Sequence, residues 1–186
     1  MTKINRMSLF ENIKNSLAKK AIEKVLKEQK RTTVFRNLEE VNSILILFES
    51  EENEKNRTIR KIIANLRENG KKVSVWGYAD KKDSETAVLP DFRLFANKEI
   101  NLIDIPKQLL REEFLLNSYD MIIDLTTASC IPVDYLLAIS TAPFKAARYK
   151  PYKGIADMMI DIKEDEDEAY LFEQIIFYLN SIQAKN

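Results

Sequence analysis

The 186-residue sequence has no histidine and a single cysteine. Without histidine there is no Ser-His-Asp or Cys-His arrangement, no imidazole proton shuttle and no imidazole metal ligand. Acid–base work would fall to Asp, Glu, Lys, Tyr or Cys, which need a larger perturbation to titrate near neutrality. One cysteine excludes an intrachain disulfide and a thiolate metal cluster; neither a metal nor another cofactor is expected. Glycine occurs three times, and no glycine-rich loop is present. There is no surplus of charge either, because 29 basic residues balance 29 acidic ones. That balance argues against broad, sequence-independent binding to nucleic acid, which needs basic residues to neutralise phosphates. Nowhere do about 18 apolar residues follow one another, so no transmembrane span is expected. Residues 1–14 lack the apolar centre of a signal peptide. A cytoplasmic protein is the expectation.

What is present is a core. Apolar residues make up 45% of the chain, and this length suits one domain rather than two. Near the start, Ser8 and Glu11 have capping-box spacing. Phe10, Ile13, Leu17, Ala21 and Val25 then recur at three- and four-residue steps, as one stripe of a helix. Residues 1–31 carry nine basic side chains against three acids, a surplus of six. Such a helix packs on its own domain with a solvated lysine face, or it docks on a partner or an anionic membrane.

Ser43–Phe48 is a short, nearly continuous apolar run of the kind buried on both faces of a parallel sheet. Residues 51–69 read as a helix with acids early and bases late, burying Ile59, Ile62, Ile63 and Leu66 and closing at Gly70. Lys72–Trp76 reads as the next strand, completing a βαβ unit with a right-handed crossover. A polar loop is expected over residues 79–85, and weaker strands over 92–96 and 101–103. Pro106 should open a helix carrying Leu109, Leu110, Phe114 and Leu115. Met121–Ile123 is another buried strand. A helix over 130–140 follows, with Ser129 as N-cap, then strands at 144–147 and 158–162. The acidic run 164–168 precedes a last helix whose inner face is Phe172, Ile175, Ile176, Leu179 and Ile182. Those acids favour a helix N-terminus; neighbours on a helix diverge too much to share a metal ion. No internal repeat or low-complexity linker interrupts the chain.

Ligands of wound parallel sheets bind outside the carboxyl ends of the strands. Two loops therefore matter. Residues 49–53 hold three glutamates and no glycine, which makes a poor phosphate cradle. Residues 124–129 offer Thr126, Thr127 and Ser129, which suit either a ligand or ordinary N-capping. Cys130 stands at the same helix start, where a thiol is activated or serves as an apolar filler. Lys145, Arg148, Lys150 and Lys153 alternate with Phe144, Tyr149 and Tyr152. Cations beside aromatics fit a phosphate or carboxylate, and equally an exposed loop packed by its tyrosines.

The segment Tyr119–Leu125, followed by 136–140 and 144–148, resembles the N-terminal Rossmann-like half of heptosyltransferase-type glycosyltransferases of the GT-B fold. The resemblance covers roughly residues 43–154. It departs where residues 49–53 replace a Gly-Asp loop, and where Tyr149 replaces a corner glycine. The second, nucleotide-sugar-binding domain of those enzymes has no counterpart, so no catalytic residue carries over. The whole chain is more similar to an uncharacterised family of small bacterial α/β proteins that share the basic leading helix, "YDMIIDL", "STAPFKAARYK" and "ADMMIDI". That likeness implies the fold and a bacterial cytoplasmic setting, and brings no activity with it.

The expected architecture is a three-layer, Rossmann-like α/β fold, a mostly parallel sheet with helices on both faces. Residues 1–31 form an N-terminal amphipathic helix packed on a single α/β domain of residues 32–186. The expected function is non-catalytic binding of a small anionic ligand or a protein partner, with Thr126, Thr127, Ser129, Lys145 and Arg148 as ligand-binding candidates. One alternative is an enzyme acting on a nucleotide-linked or phosphorylated small molecule near Thr126, Thr127, Lys145 and Arg148. Another is a membrane-surface or protein-docking role for the N-terminal helix.

Overall fold

The computed structural model describes residues 3–50, 53–80 and 92–181. The elements in chain order are α1 (Lys3–Glu28), β1 (Ser43–Glu49), α2 (Asn53–Glu68), β2 (Lys72–Ala79), β3 (Arg93–Ala96), α3 (Gln108–Leu115), β4 (Met121–Asp124), α4 (Ile131–Ile139), β5 (Phe144–Arg148), β6 (Met158–Ile160) and α5 (Glu168–Ser181). The six strands form one sheet in the order β3-β2-β1-β4-β5-β6. Every neighbouring pair is parallel. The chain thus has the three-layer Rossmann-like architecture, with β1 and β4 at the centre.

The apolar runs alternate between two cores. Leu45, Leu47, Trp76, Tyr78, Ile122 and Ala147 face one side, against α1, α3 and α4. Ile44, Ile46, Phe48, Val75, Met121, Ile123 and Ala146 face the other, against α2 and α5. A strand apolar at every position is what a sheet covered on both faces demands. Helix α4 carries the same logic: Ile131 to Ala138 are all buried, because α4 packs against α1 as well as the sheet.

Local chemistry sets the boundaries. Helix α2 ends in a Schellman turn, in which Lys71 N–H donates to Leu66 C=O and Gly70 N–H to Arg67 C=O. Gly70 has φ of 78°, a conformation in which a Cβ is penalised. At the amino edge of the sheet, the Asp120 carboxylate accepts from the Ser43 N–H, the Ser43 hydroxyl and the Asn42 N–H, joining β1 to β4. Those bonds, the Ser43 backbone donor first, hold Asp120 below the usual carboxylate range. Arg93 of β3 forks onto Glu113 of α3 at 2.6 and 2.7 Å and lies over the Trp76 ring.

Several expectations need correction. Helix α1 begins at Lys3, so Ser8 and Glu11 lie within the helix and not at its start. Its expected stripe splits. Ala18 and Ile22 are buried, with Ala21 and Val25 packed beside them, whereas Phe10, Ile13 and Leu17 are exposed. The N-cap of α4 is Cys130, not Ser129, and it makes no side-chain capping bond. Pro106 precedes the N-cap of α3, and of the four expected apolar residues only Leu110 and Phe114 are buried. Residues 101–103 form a turn instead of a strand, because the Asn101 carboxamide accepts from the Ile103 and Ile105 N–H groups and curls the chain. Residues 81–85 of the expected polar loop, and Ile182, lie outside the described residues.

Gly77 is where β2 admits no side chain. A Cβ there would stand 2.5 Å from Phe48 Cε1 and 2.7 Å from Leu94 Cδ2. Phe48 is fully buried and cannot swing away. Gly77→Ala should therefore destabilise the fold by about 1–3 kcal/mol, read as a lowered urea midpoint with an unchanged slope.

Candidate functional site

The strand order reverses between β1 and β4. Chain leaving β1 turns to one face through α2, and chain leaving β4 turns to the other through α4. The divergence opens a crevice at their carboxyl ends, where ligands of such sheets bind. A cavity of about 860 Å³ lies there. Glu49 closes β1 beneath it, Tyr78 comes from β2, Asn97 follows β3, and Ser129, Cys130 and Ile131 bring in the start of α4. Phe10, Lys14 and Lys19 of α1 cover the cavity, and the turn at residues 100–104 forms its far wall. Lys14 reaches across to Asp104 at 2.8 Å, pinning the helix to that wall. This bond, helped by neighbouring acids and opposed by burial, raises the Lys14 pKa. Asp104 itself has φ of 60°, a left-handed conformation that aspartate tolerates better than most side chains.

The lining is polar and largely organised. The Tyr78 hydroxyl donates to Asn97 Oδ1 at 2.6 Å, and the Asn97 amide donates to the Asp80 carbonyl at 2.8 Å. Burial, then the charge of Asp80, pushes the Tyr78 phenol well above its ordinary pKa. Cys130 is buried, and burial pushes its thiol up, helped by the charge of Glu49. It is a protonated filler, not an activated nucleophile.

Next to this crevice, at the ends of β4 and β5, lies a buried ion cluster. Lys150 Nζ is 2.9 Å from Asp124 Oδ2, donates to Asp134 Oδ1 at 2.5 Å and to Thr126 Oγ1 at 3.0 Å. The Thr126 N–H and hydroxyl both donate to Asp124 Oδ1. All four residues are buried. Burial raises Asp134 to about 6 against the pull of Lys150. For Lys150, burial works downward, but Asp124 and Asp134 outweigh it and keep the ammonium charged.

The structure divides the five expected ligand residues among three places. Ser129 lines the cavity. Thr126 belongs to the ion cluster, and the Arg148 guanidinium donates to the Thr127 carbonyl, bracing the same loop. Lys145 is elsewhere. Three residues from Arg148 on one strand, it points to the opposite face, where its amine donates to the Leu137 carbonyl at 2.7 Å near the end of α4. Burial, reinforced by Arg31 and partly offset by Asp157, lowers its pKa to about 7. The run of cations and aromatics at 144–153 is therefore not one surface: Lys145, Lys150 and Tyr152 are buried, and Tyr149 and Lys153 are exposed. Sequence reasoning missed Asp124, Asp134 and Lys150 as a unit. The signal was a charged residue at the end of an apolar strand, and a second inside an apolar helix.

A family model, described as a family of unknown function (DUF6913), matches residues 14–182. The chain belongs to the DUF6913 family. No curated protein and no solved structure matches it. The match to DUF6913 spans the ion cluster, the crevice apart from Phe10, and all but the first turns of α1, so the uncharacterised-family resemblance holds at the level of the family.

Two outcomes follow for this DUF6913 chain. Lys150→Met leaves two buried carboxylates without a counter-charge and should cost roughly 3–5 kcal/mol in urea unfolding near neutrality; replacing Asp124 and Asp134 as well, by Asn and Leu, should recover most of the loss. For Lys145, the folded state releases its proton near pH 7, whereas the unfolded chain holds it until about 10.5. Between those values the unfolded state binds more protons, so this group makes stability rise with pH. The melting temperature of Lys145→Met should lack that rise.

Proposed function

We propose that the chain is a non-catalytic binding protein, and that its ligand is a small, polar, hydroxyl-bearing molecule held in the crevice between β1 and β4 beneath α1. The observation that carries this reading is the cavity of about 860 Å³ at the point where the sheet reverses its winding. Its size falls within the range of small-molecule sites. Its walls present carboxamides and hydroxyls, from Asn15, Asn97, Asn101, Tyr78 and Ser129, more than free charge. Lys14 is committed to Asp104, and Glu49 and Asp80 offset Lys19, so a strongly anionic ligand has less to hold it than the sequence suggested.

The non-catalytic part rests on what the ionisable groups do. Lys150 is tied to Asp124 and Asp134, the Cys130 thiol is held protonated, and Tyr78 is pushed away from neutral pH. Tyr78 and Cys130 therefore line the cavity without being poised for proton transfer, and Asp134 and Lys145, which burial moves towards neutral pH, are not part of its lining. The glycosyltransferase-like half-fold, a bacterial source and a cytoplasmic setting belong to the same proposal and rest on the quoted sequence segments; the parallel order of the sheet bears on the first alone.

Thermal shift against monosaccharides, nucleosides and sugar nucleotides tests it. A true ligand at about 100 times its dissociation constant adds roughly 2.7 kcal/mol of stability. Ser129 is exposed at the rim, so Ser129→Trp should abolish the shift while leaving the melting temperature of the free protein unchanged. A panel with no shift, or a shift that survives in Ser129→Trp, would overturn the assignment.

A further inference from the structure

Helix α1 has two apolar faces, and the domain uses only one. Ala18 and Ile22, with Ala21, Val25 and Leu26 beside them, pack on the domain. At about 100° per residue, Leu9, Ile13 and Leu17 fall within roughly 80° of each other, and that arc is turned well away from Ala18 and Ile22. These three and Phe10 are exposed by 61%, 50%, 47% and 64% respectively. Between residues 9 and 17 only Lys14 is even half-buried, because this part of the helix lies over the open cavity and is tied to its far wall by the Lys14–Asp104 pair. Leu102, exposed by 90%, joins Phe10 at the same rim.

The outward arc changes character towards the C-terminus. Lys20, Lys24 and Lys27 continue the direction of Leu9, Ile13 and Leu17, and all three are exposed. One line along the helix therefore reads apolar for its first part and cationic for its second. We infer that this outward line of α1 is a docking surface for an anionic lipid membrane, into which Leu9, Ile13 and Leu17 insert while Lys20, Lys24 and Lys27 meet the lipid headgroups.

Charge complementarity selects that occupant. Helix α1 carries seven basic and three acidic side chains in a chain with no net charge overall, so it holds a cationic surplus that the rest of the chain offsets. Lysine stems lie along an apolar surface and place their ammonium groups at the headgroup level, and anionic lipid attracts each nearby cation by a factor of about five. A second copy of the chain fits less well. Side-by-side parallel helices would oppose the three lysines to themselves, and four exposed apolar side chains fall far short of the roughly 800 Å² per partner of a stable interface. The inference does not depend on the crevice being a ligand site.

Co-sedimentation of the full chain with vesicles tests it. Binding is expected to vesicles containing phosphatidylglycerol, to weaken with salt, and to be absent on pure phosphatidylcholine. Lys20→Gln/Lys24→Gln/Lys27→Gln should lower the partition coefficient on the order of a hundred-fold, and Leu9→Ser/Ile13→Ser/Leu17→Ser should abolish binding. Both variants alter exposed residues, so an unchanged melting temperature confirms their folding. Binding to neither vesicle overturns the inference, as does undiminished binding by either variant. Sedimentation as a dimer that the serine variant dissociates would assign the surface to a second copy and overturn it too.

Discussion

The carboxyl edge of this sheet depends on one buried ammonium. Asp124 ends the central strand β4 inside the protein, where a lone carboxylate would carry a desolvation penalty of several kcal/mol. Lys150 lies 2.9 Å away, and Asp134 and Thr126 complete its shell. The partners come from the end of β4, the loop after it, the first turn of α4 and the segment after β5. Satisfying one lysine fixes where α4 starts, how the loop at 125–130 runs and where chain leaving β5 crosses the edge. The crevice inherits its shape from that agreement, because Ser129, Cys130 and Ile131 form its wall between Thr126 and Asp134.

The sheet was legible in the sequence because burial on both faces leaves a strong trace. A run such as Ser43–Phe48 has no other comfortable home in a protein of this size, and the same holds for Met121–Ile123. The helix C-cap at Gly70 was equally readable, since it rests on chain geometry local to a few residues. Strand order was beyond pattern alone, and so was the extension of β2 to Ala79, where Gly77, Tyr78 and Ala79 hide little of the expected alternation.

The candidate site was less legible. A stripe of apolar residues says that some face of a helix is covered, but not how far the cover extends; burial on α1 begins only at Ala18, and Phe10, Ile13 and Leu17 stay exposed. Lys145 and Arg148 look like companions in a row of cations, yet strand parity sends them to opposite faces. The ion cluster joins residues up to 26 positions apart in sequence, from Asp124 to Lys150, and no local spacing announces it. Ser129, by contrast, lies on the cavity wall for a general reason: it follows a central parallel strand at the point where the winding reverses.

The anchorage of α1 has a kinetic corollary. Gln29 donates to the Ser140 carbonyl, and Arg31 pairs with Asp157 at 2.6 Å across 126 positions of chain. Val34 N–H donates to the Pro143 carbonyl on the same path. The receptors for these groups are α4, β5 and the approach to β6, all in the second half of the sequence. During synthesis, α1 emerges before these elements and must wait for them. High sequence separation of this kind slows folding, since the loop-closure entropy is lost before the contacts form. Helix α1 is made well before the berth that receives it.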